Sequence, residues 1–189
     1  MCDIKIGVFG NLGCEKTQLT LRFLRGDCNS NYMSDDFVKI LNIDGNSIKL
    51  TIFDTAGQDE FNEMRFMYYS KIQAAILVFD ISNPQSIDSI KSIYQEIQNN
   101  DNDLEIKFAV AANRGYLRDQ KSKNLISTDL YKGLEKYLNC KIFETNAQTG
   151  KNVDEIFHYV IKECINLLNS DKGDNKHSKN KIDKKKKVQ

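Results

Sequence analysis

The residues best placed to do chemistry come early in the chain: Gly10-Asn11-Leu12-Gly13-Cys14-Glu15-Lys16-Thr17. They approach the spacing G-x-x-x-x-G-K-[ST], in which successive backbone N–H groups and the start of a helix surround phosphate oxygens. Lys16 would add a point charge to such a cradle. The Thr17 hydroxyl would offer a ligand to Mg²⁺, a hard cation that also binds phosphate. Gly10, Gly13, Lys16 and Thr17 hold their places, but Glu15 stands where the second glycine belongs. A side chain there intrudes where the backbone must approach a ligand closely. Its carboxylate would also repel a polyphosphate by about 1 to 4 kcal/mol at about 4 Å, depending on the effective dielectric. Taken alone, the run also reads as a glycine-containing turn followed by an incidental Lys-Thr.

The elements around this loop decide whether it can work. Residues 3–9 are β-branched and aromatic, end at Gly10, and read as a buried parallel strand. Residues 16–24 read as a helix with Leu19, Phe23 and Leu24 on one side. Residues 38–43 and 47–53 flank Asp44-Gly45-Asn46, a hairpin signal. Residues 74–80 form a strand apolar nearly throughout, followed by Asn83-Pro84, a cap and a first-turn proline. The helix behind it sets Ile87, Ile90, Tyr94 and Ile97 on one face. Residues 107–112 and 141–144 supply two more strands, with a helix from Ser127 to Tyr137 between them. In the last helix Val153, Ile156, Phe157, Val160, Ile161, Cys164 and Leu168 follow a 3.6-residue repeat. Strands alternating with helices predict an α/β fold: a mostly parallel six-stranded sheet, one antiparallel edge strand, and helices on both faces.

Composition narrows the function class. The 189 residues fit one domain, expected over 1–168, plus a tail over 169–189 that lacks anything to bury and reads as disordered. A mean hydropathy of −0.51 and the lack of a long apolar run argue against a membrane span. The N-terminus reads straight into a strand, without the pattern of a signal peptide. Five cysteines, odd in number and without C-x-x-C spacing, predict reduced thiols in an intracellular compartment. From Asp171 to Lys187, eight lysines face three aspartates, a local charge of +5 in a chain whose total is +1. The remainder therefore carries −4, which gives no electrostatic case for nucleic-acid binding.

A second motif makes the family legible. Residues 49–61, Lys-Leu-Thr-Ile-Phe-Asp-Thr-Ala-Gly-Gln-Asp-Glu-Phe, are very similar to the third strand and switch II of Rab-type small GTPases. Tyr68-Tyr69 and Leu77-Val78-Phe79-Asp80-Ile81-Ser82 are Rab-like as well, and the resemblance runs from about Ile4 to Leu168. It implies a P-loop G domain that binds GTP or GDP with Mg²⁺ and acts in vesicle traffic or signalling. Under that resemblance residues 10–17 cradle the phosphates, Thr17 and Asp54 serve the metal, and Thr55, Ala56 and Gly57 follow the phosphate end. Gln58 would orient the attacking water, a role that small GTPases illustrate directly. Asn113, Arg114 and Ala147 would serve the base. Effectors or regulators would be met through switch II.

The same resemblance exposes departures. Where the family reads the base with Asn-Lys-x-Asp, this chain has Asn113-Arg114-Gly115-Tyr116. Arg114 keeps a charge without lysine's shape. Tyr116 replaces a carboxylate that accepts two hydrogen bonds from guanine, a loss worth about 10² to 10⁴ in affinity. Asn146-Ala147-Gln148 stands for the supporting Ser-Ala-Lys. In switch I about four residues are missing by comparison with Rab proteins, including the threonine that caps Mg²⁺ and the γ-phosphate. Ser30 and Ser34 are the nearest hydroxyls, and either reads as an ordinary loop residue. Together these changes leave an interaction module with little nucleotide, a pseudo-GTPase, as the competing expectation. A base-indifferent phosphate binder is a third. The tail ends in Lys184 to Lys187, Val188 and Gln189 without the prenylated cysteine usual in the family. Its lysines suit weak contact with an anionic membrane, a nuclear-localisation run or a solvated tail, in an otherwise cytoplasmic protein.

Overall fold

In a computed structural model the described residues are 2–27, 36–54, 67–100 and 105–185, with side chains described as far as Ser170. The first strand, β1 (Cys2–Phe9), buries Ile4, Ile6, Val8 and Phe9 completely. It lies at the middle of a six-stranded sheet with the order β2-β3-β1-β4-β5-β6. β2 (Asp36–Ile43) and β3 (Asn46–Asp54) pair antiparallel. Their turn has Asp44 at φ 51° and Gly45 at φ 79°, two left-handed residues that suit the twist of a tight hairpin. β4 (Ala74–Asp80), β5 (Lys107–Asn113) and β6 (Lys141–Glu144) add in parallel, as β1 does to β3.

Strand period decides which helices pack where. Ile76 and Val78 of β4 face the core shared with α1 (Lys16–Arg25) and α5 (Val153–Lys185). Ala75, Leu77 and Phe79 face the other core, with α2 (Gln85–Gln98) and α4 (Asp129–Leu138). A short α3 (Tyr116–Asp119) follows β5. On the first face Phe23 and Phe157 stack at 4.2 Å between ring centroids, which fixes α1 against α5. Pro84 is the N-cap of α2, one residue beyond the cap read at Asn83, whose carboxamide oxygen accepts the Gln85 N–H at 3.1 Å.

α5 continues as helical backbone to Lys185, past the boundary read at 168. Among the described side chains its buried positions run to Cys164 and coincide with the apolar repeat. Beyond Leu168 the sequence supplies no apolar stripe to hold that continuation against the sheet. Among the described residues no helix is long and apolar enough to cross a membrane.

The C-terminal ends of the parallel strands set up the functional edge. Gly10 follows β1, Asp80 ends β4, Asn113 ends β5, and Thr145 follows β6. Asp80 and Asn113 are register partners across β4 and β5. Open α/β sheets place ligand sites at this edge.

Candidate functional site

Gly10 leaves β1 at φ 151°, where a Cβ would stand 2.1 Å from the Val78 carbonyl oxygen. Only glycine permits the chain to turn there against β4. Cys14 N–H reaches back to the Asn11 carbonyl at 3.3 Å and closes the turn. The Lys16 ammonium donates to the Gly10 and Asn11 carbonyls at 2.7 and 2.8 Å. The lysine is thus folded over the loop and almost wholly buried. Leu12 points to solvent. Cys14 is buried, and burial pushes its thiol up, with Lys16 pulling the other way.

Glu15 is the N-cap of α1 and takes left-handed backbone angles, φ 61° and ψ 37°. That conformation explains why a glycine suits the position, and it costs a glutamate on the order of 1 kcal/mol. The side chain makes no cap hydrogen bond to its own helix. Glu15 Oε1 instead accepts the Tyr116 hydroxyl at 3.1 Å and lies 3.2 Å from Arg114 Nε, an ion pair without hydrogen-bond alignment. The expected repulsion between Glu15 and a polyphosphate is therefore offset in part by a cation of the chain's own.

Arg114 draws the loop after β5 to the loop after β1. Its guanidinium donates to the Gly13 carbonyl at 2.8 Å and pairs with Asp80 Oδ2 at 3.0 Å. Asp80 is itself oriented, because its other oxygen accepts the Ser82 N–H and hydroxyl at 2.8 and 2.6 Å. Asn113, fully buried, donates its amide to the Cys14 carbonyl at 2.9 Å and accepts the Thr145 hydroxyl at 3.0 Å. Gly115 N–H bonds the Thr145 carbonyl at 2.9 Å. Burial raises the Tyr116 phenol, and the Glu15 charge beside it adds to the effect. Ala147 is buried, and its carbonyl accepts Arg22 Nε at 2.7 Å.

Seven of the expected binding residues thus stand together at one sheet edge: Gly10, Gly13, Cys14, Glu15, Lys16, Asn113 and Arg114. Asp54 ends β3 beside β1, pairing in register with Val8, and is 3% exposed. Thr17 is half-buried in the first turn of α1. Thr17 and Asp54 offer oxygen donors, the chemistry Mg²⁺ prefers. Thr55, Ala56, Gly57 and Gln58 lie outside the described residues, as do Ser30 and Ser34. Asp80, Thr145 and Arg22 were missed by sequence reasoning. Asp80 and Thr145 had a signal, since each directly follows or ends a strand at the functional edge.

A model of the Ras family matches residues 5–166. This chain belongs to the Ras family. Among relatives of this Ras-family chain, Ras-related protein Rab-8B of Homo sapiens is 30% identical over 174 residues, 90% of this chain and 82% of that protein. Ras-related protein RAB1BV of Beta vulgaris is 30% identical over 169 residues, 87% and 77% of the two chains. Ras-related protein Rab5 of Nicotiana tabacum is 30% identical over 164 residues, 85% and 80%. The six-stranded sheet with one antiparallel edge strand is the small-GTPase G domain that the family match implies.

Proposed function

We propose that this chain is a Rab-like small GTPase that binds GTP or GDP with Mg²⁺ and acts in intracellular vesicle traffic or signalling. The observation that carries the reading is Lys16, folded onto the Gly10 and Asn11 carbonyls at the start of α1. Such a loop holds its backbone N–H groups and its ammonium ready for phosphate oxygens. Thr17 and Asp54 would hold Mg²⁺, directly or through water, and the bound cation would neutralise phosphate charge. Asn113, Arg114 and Ala147 would face the base, and Gln58 would orient water for a slow hydrolysis. Residues 55–66 would meet effectors or regulators. The lysine tail would give weak electrostatic contact with an anionic membrane from the cytoplasmic side.

A second reading, a pseudo-GTPase that works as an interaction module, is favoured by one contact. The Tyr116 hydroxyl bonds Glu15, where the family pattern has an aspartate for guanine and a glycine for the phosphate. The purified protein, denatured and separated by ion exchange, distinguishes the two. Stoichiometric GDP in the supernatant supports the GTPase and sinks the pseudo-GTPase. An empty supernatant, together with no GDP binding by calorimetry, does the reverse.

A further inference from the structure

Three side chains that depart from the family pattern meet at the Glu15 carboxylate. Glu15 comes from the phosphate loop, and Arg114 and Tyr116 from the base loop. Glu15 Oε1 receives the tyrosine hydroxyl at 3.1 Å and the arginine charge at 3.2 Å. The other side of the arginine is held by Asp80 at 3.0 Å and by the Gly13 carbonyl at 2.8 Å. One cation therefore lies between two carboxylates, and a neutral phenol completes the acid on the outer side.

The residue types depend on one another. An aspartate at position 116 would set a second carboxylate against Glu15 in a half-buried place, where like charges repel more strongly than in water. A tyrosine supplies a donor there instead. A glycine at position 15 would leave the Tyr116 hydroxyl without this acceptor. The two changes make sense as a pair and little sense singly.

We propose that Glu15, Arg114 and Tyr116 form a clasp that ties the loop after β1 to the loop after β5. The clasp adds a side-chain tie on the exposed side of the buried Asn113 bond to the Cys14 carbonyl. Its second consequence rests on the nucleotide-site reading above: a purine base enters only when the clasp opens. Affinity then falls by the reciprocal of the open fraction.

A double-mutant cycle on the full chain tests this, with Glu15→Ala, Tyr116→Phe and the double variant unfolded in urea without nucleotide. Tyr116→Phe is expected to lower the folding constant about five- to thirtyfold when Glu15 is present and little when it is absent. Additive effects would overturn the clasp. Hydrogen exchange at the Gly115 amide gives a readout that a merely structural tyrosine would not move. In Tyr116→Phe that amide is expected to exchange several-fold faster than its global stability dictates, and unchanged relative protection would count against the tie. GDP titration of the same proteins separates the two readings. Affinity rising in Tyr116→Phe by a factor similar to the coupling supports exclusion of the base, and equal affinity refutes it. Coupling without GDP binding by any variant leaves the clasp standing and sinks the nucleotide-site reading.

Discussion

Arg114 closes on Asp80 at 3.0 Å and so joins the ends of β4 and β5 through their side chains as well as their ladder. The same guanidinium neutralises Glu15 from the phosphate loop. Removing it leaves a buried carboxylate, Asp80, and a half-buried one, Glu15, with no cation between them. Arg114→Ala is expected to destabilise the fold by about 2 to 4 kcal/mol. Arg114→Lys should recover part of this, because an ammonium keeps the charge but cannot span Glu15, Asp80 and the Gly13 carbonyl together. Urea midpoints at constant slope measure both, and equal stability of the alanine variant and the parent would contradict the arrangement.

Gly10 has no tolerance for a side chain. A Cβ 2.1 Å from the Val78 carbonyl oxygen has to push β4 or the loop aside. Gly10→Ala is expected to cost about 3 kcal/mol or more, or to abolish soluble expression. The comparison is Gly13→Ala, where a Cβ would meet nothing within 4 Å and only the φ of 82° is unfavourable. That change should cost about 1 kcal/mol. Circular dichroism melts of the two variants would show their order, and a reversed order would refute the packing argument.

Alkaline pH should weaken the fold in a defined window. Burial pushes the Tyr131 phenol from 10.0 to about 12 and the Cys140 and Cys164 thiols from 9.0 to about 12. Each group keeps its proton longer folded than unfolded. The stabilisation is therefore complete below pH 9 and declines as the unfolded chain ionises first, between pH 9 and about 12. Denaturation midpoints across that range should fall, and Tyr131→Phe should flatten the fall above pH 10. A slope unchanged in Tyr131→Phe would remove the tyrosine from the account.

The charged end of α5 should be dispensable for folding. Among the residues whose side chains are described, its buried positions lie between Val153 and Cys164, all of them kept by deletion after Ser170. The melting temperature is expected to move by no more than about 2 °C. Binding to vesicles rich in anionic lipid should fall sharply at low salt, by about 1 kcal/mol for each lysine near the surface. Cosedimentation that is unaltered by the deletion would show that the tail makes no such contact.

The fold was legible because its signals are local. Asp44-Gly45 announced the hairpin, alternation along 74–79 divided the two cores, and the repeat from Val153 to Cys164 drew the packed part of α5. The candidate site was legible only as a set of places. Glu15 and Tyr116 read as two separate losses, since they stand 101 positions apart and nothing in the sequence between links them. Sequence reasoning weighed Glu15 against a phosphate and overlooked the cation that the fold delivers beside it. Arg114 could be judged for its shape, but Asp80, its partner, was visible only as the end of an apolar strand. The helical course of residues 169–185 also escaped the reading, because a segment without apolar period gives no helix signal.

Asn113 holds the Cys14 carbonyl with one end of its amide and the Thr145 hydroxyl with the other. The order of synthesis then limits when the site can exist. While the chain is emerging from the ribosome, β1 and the loop after it appear first, yet the loop's buttress arrives only with β5. That buttress lacks its own support until Thr145 has cleared the exit tunnel. A nascent chain halted near residue 100 would present the glycine loop without Asn113, Arg114 or Tyr116, and would have neither a clasp nor a braced anion cradle. The braced arrangement of these loops therefore belongs to the finished domain and not to the growing one.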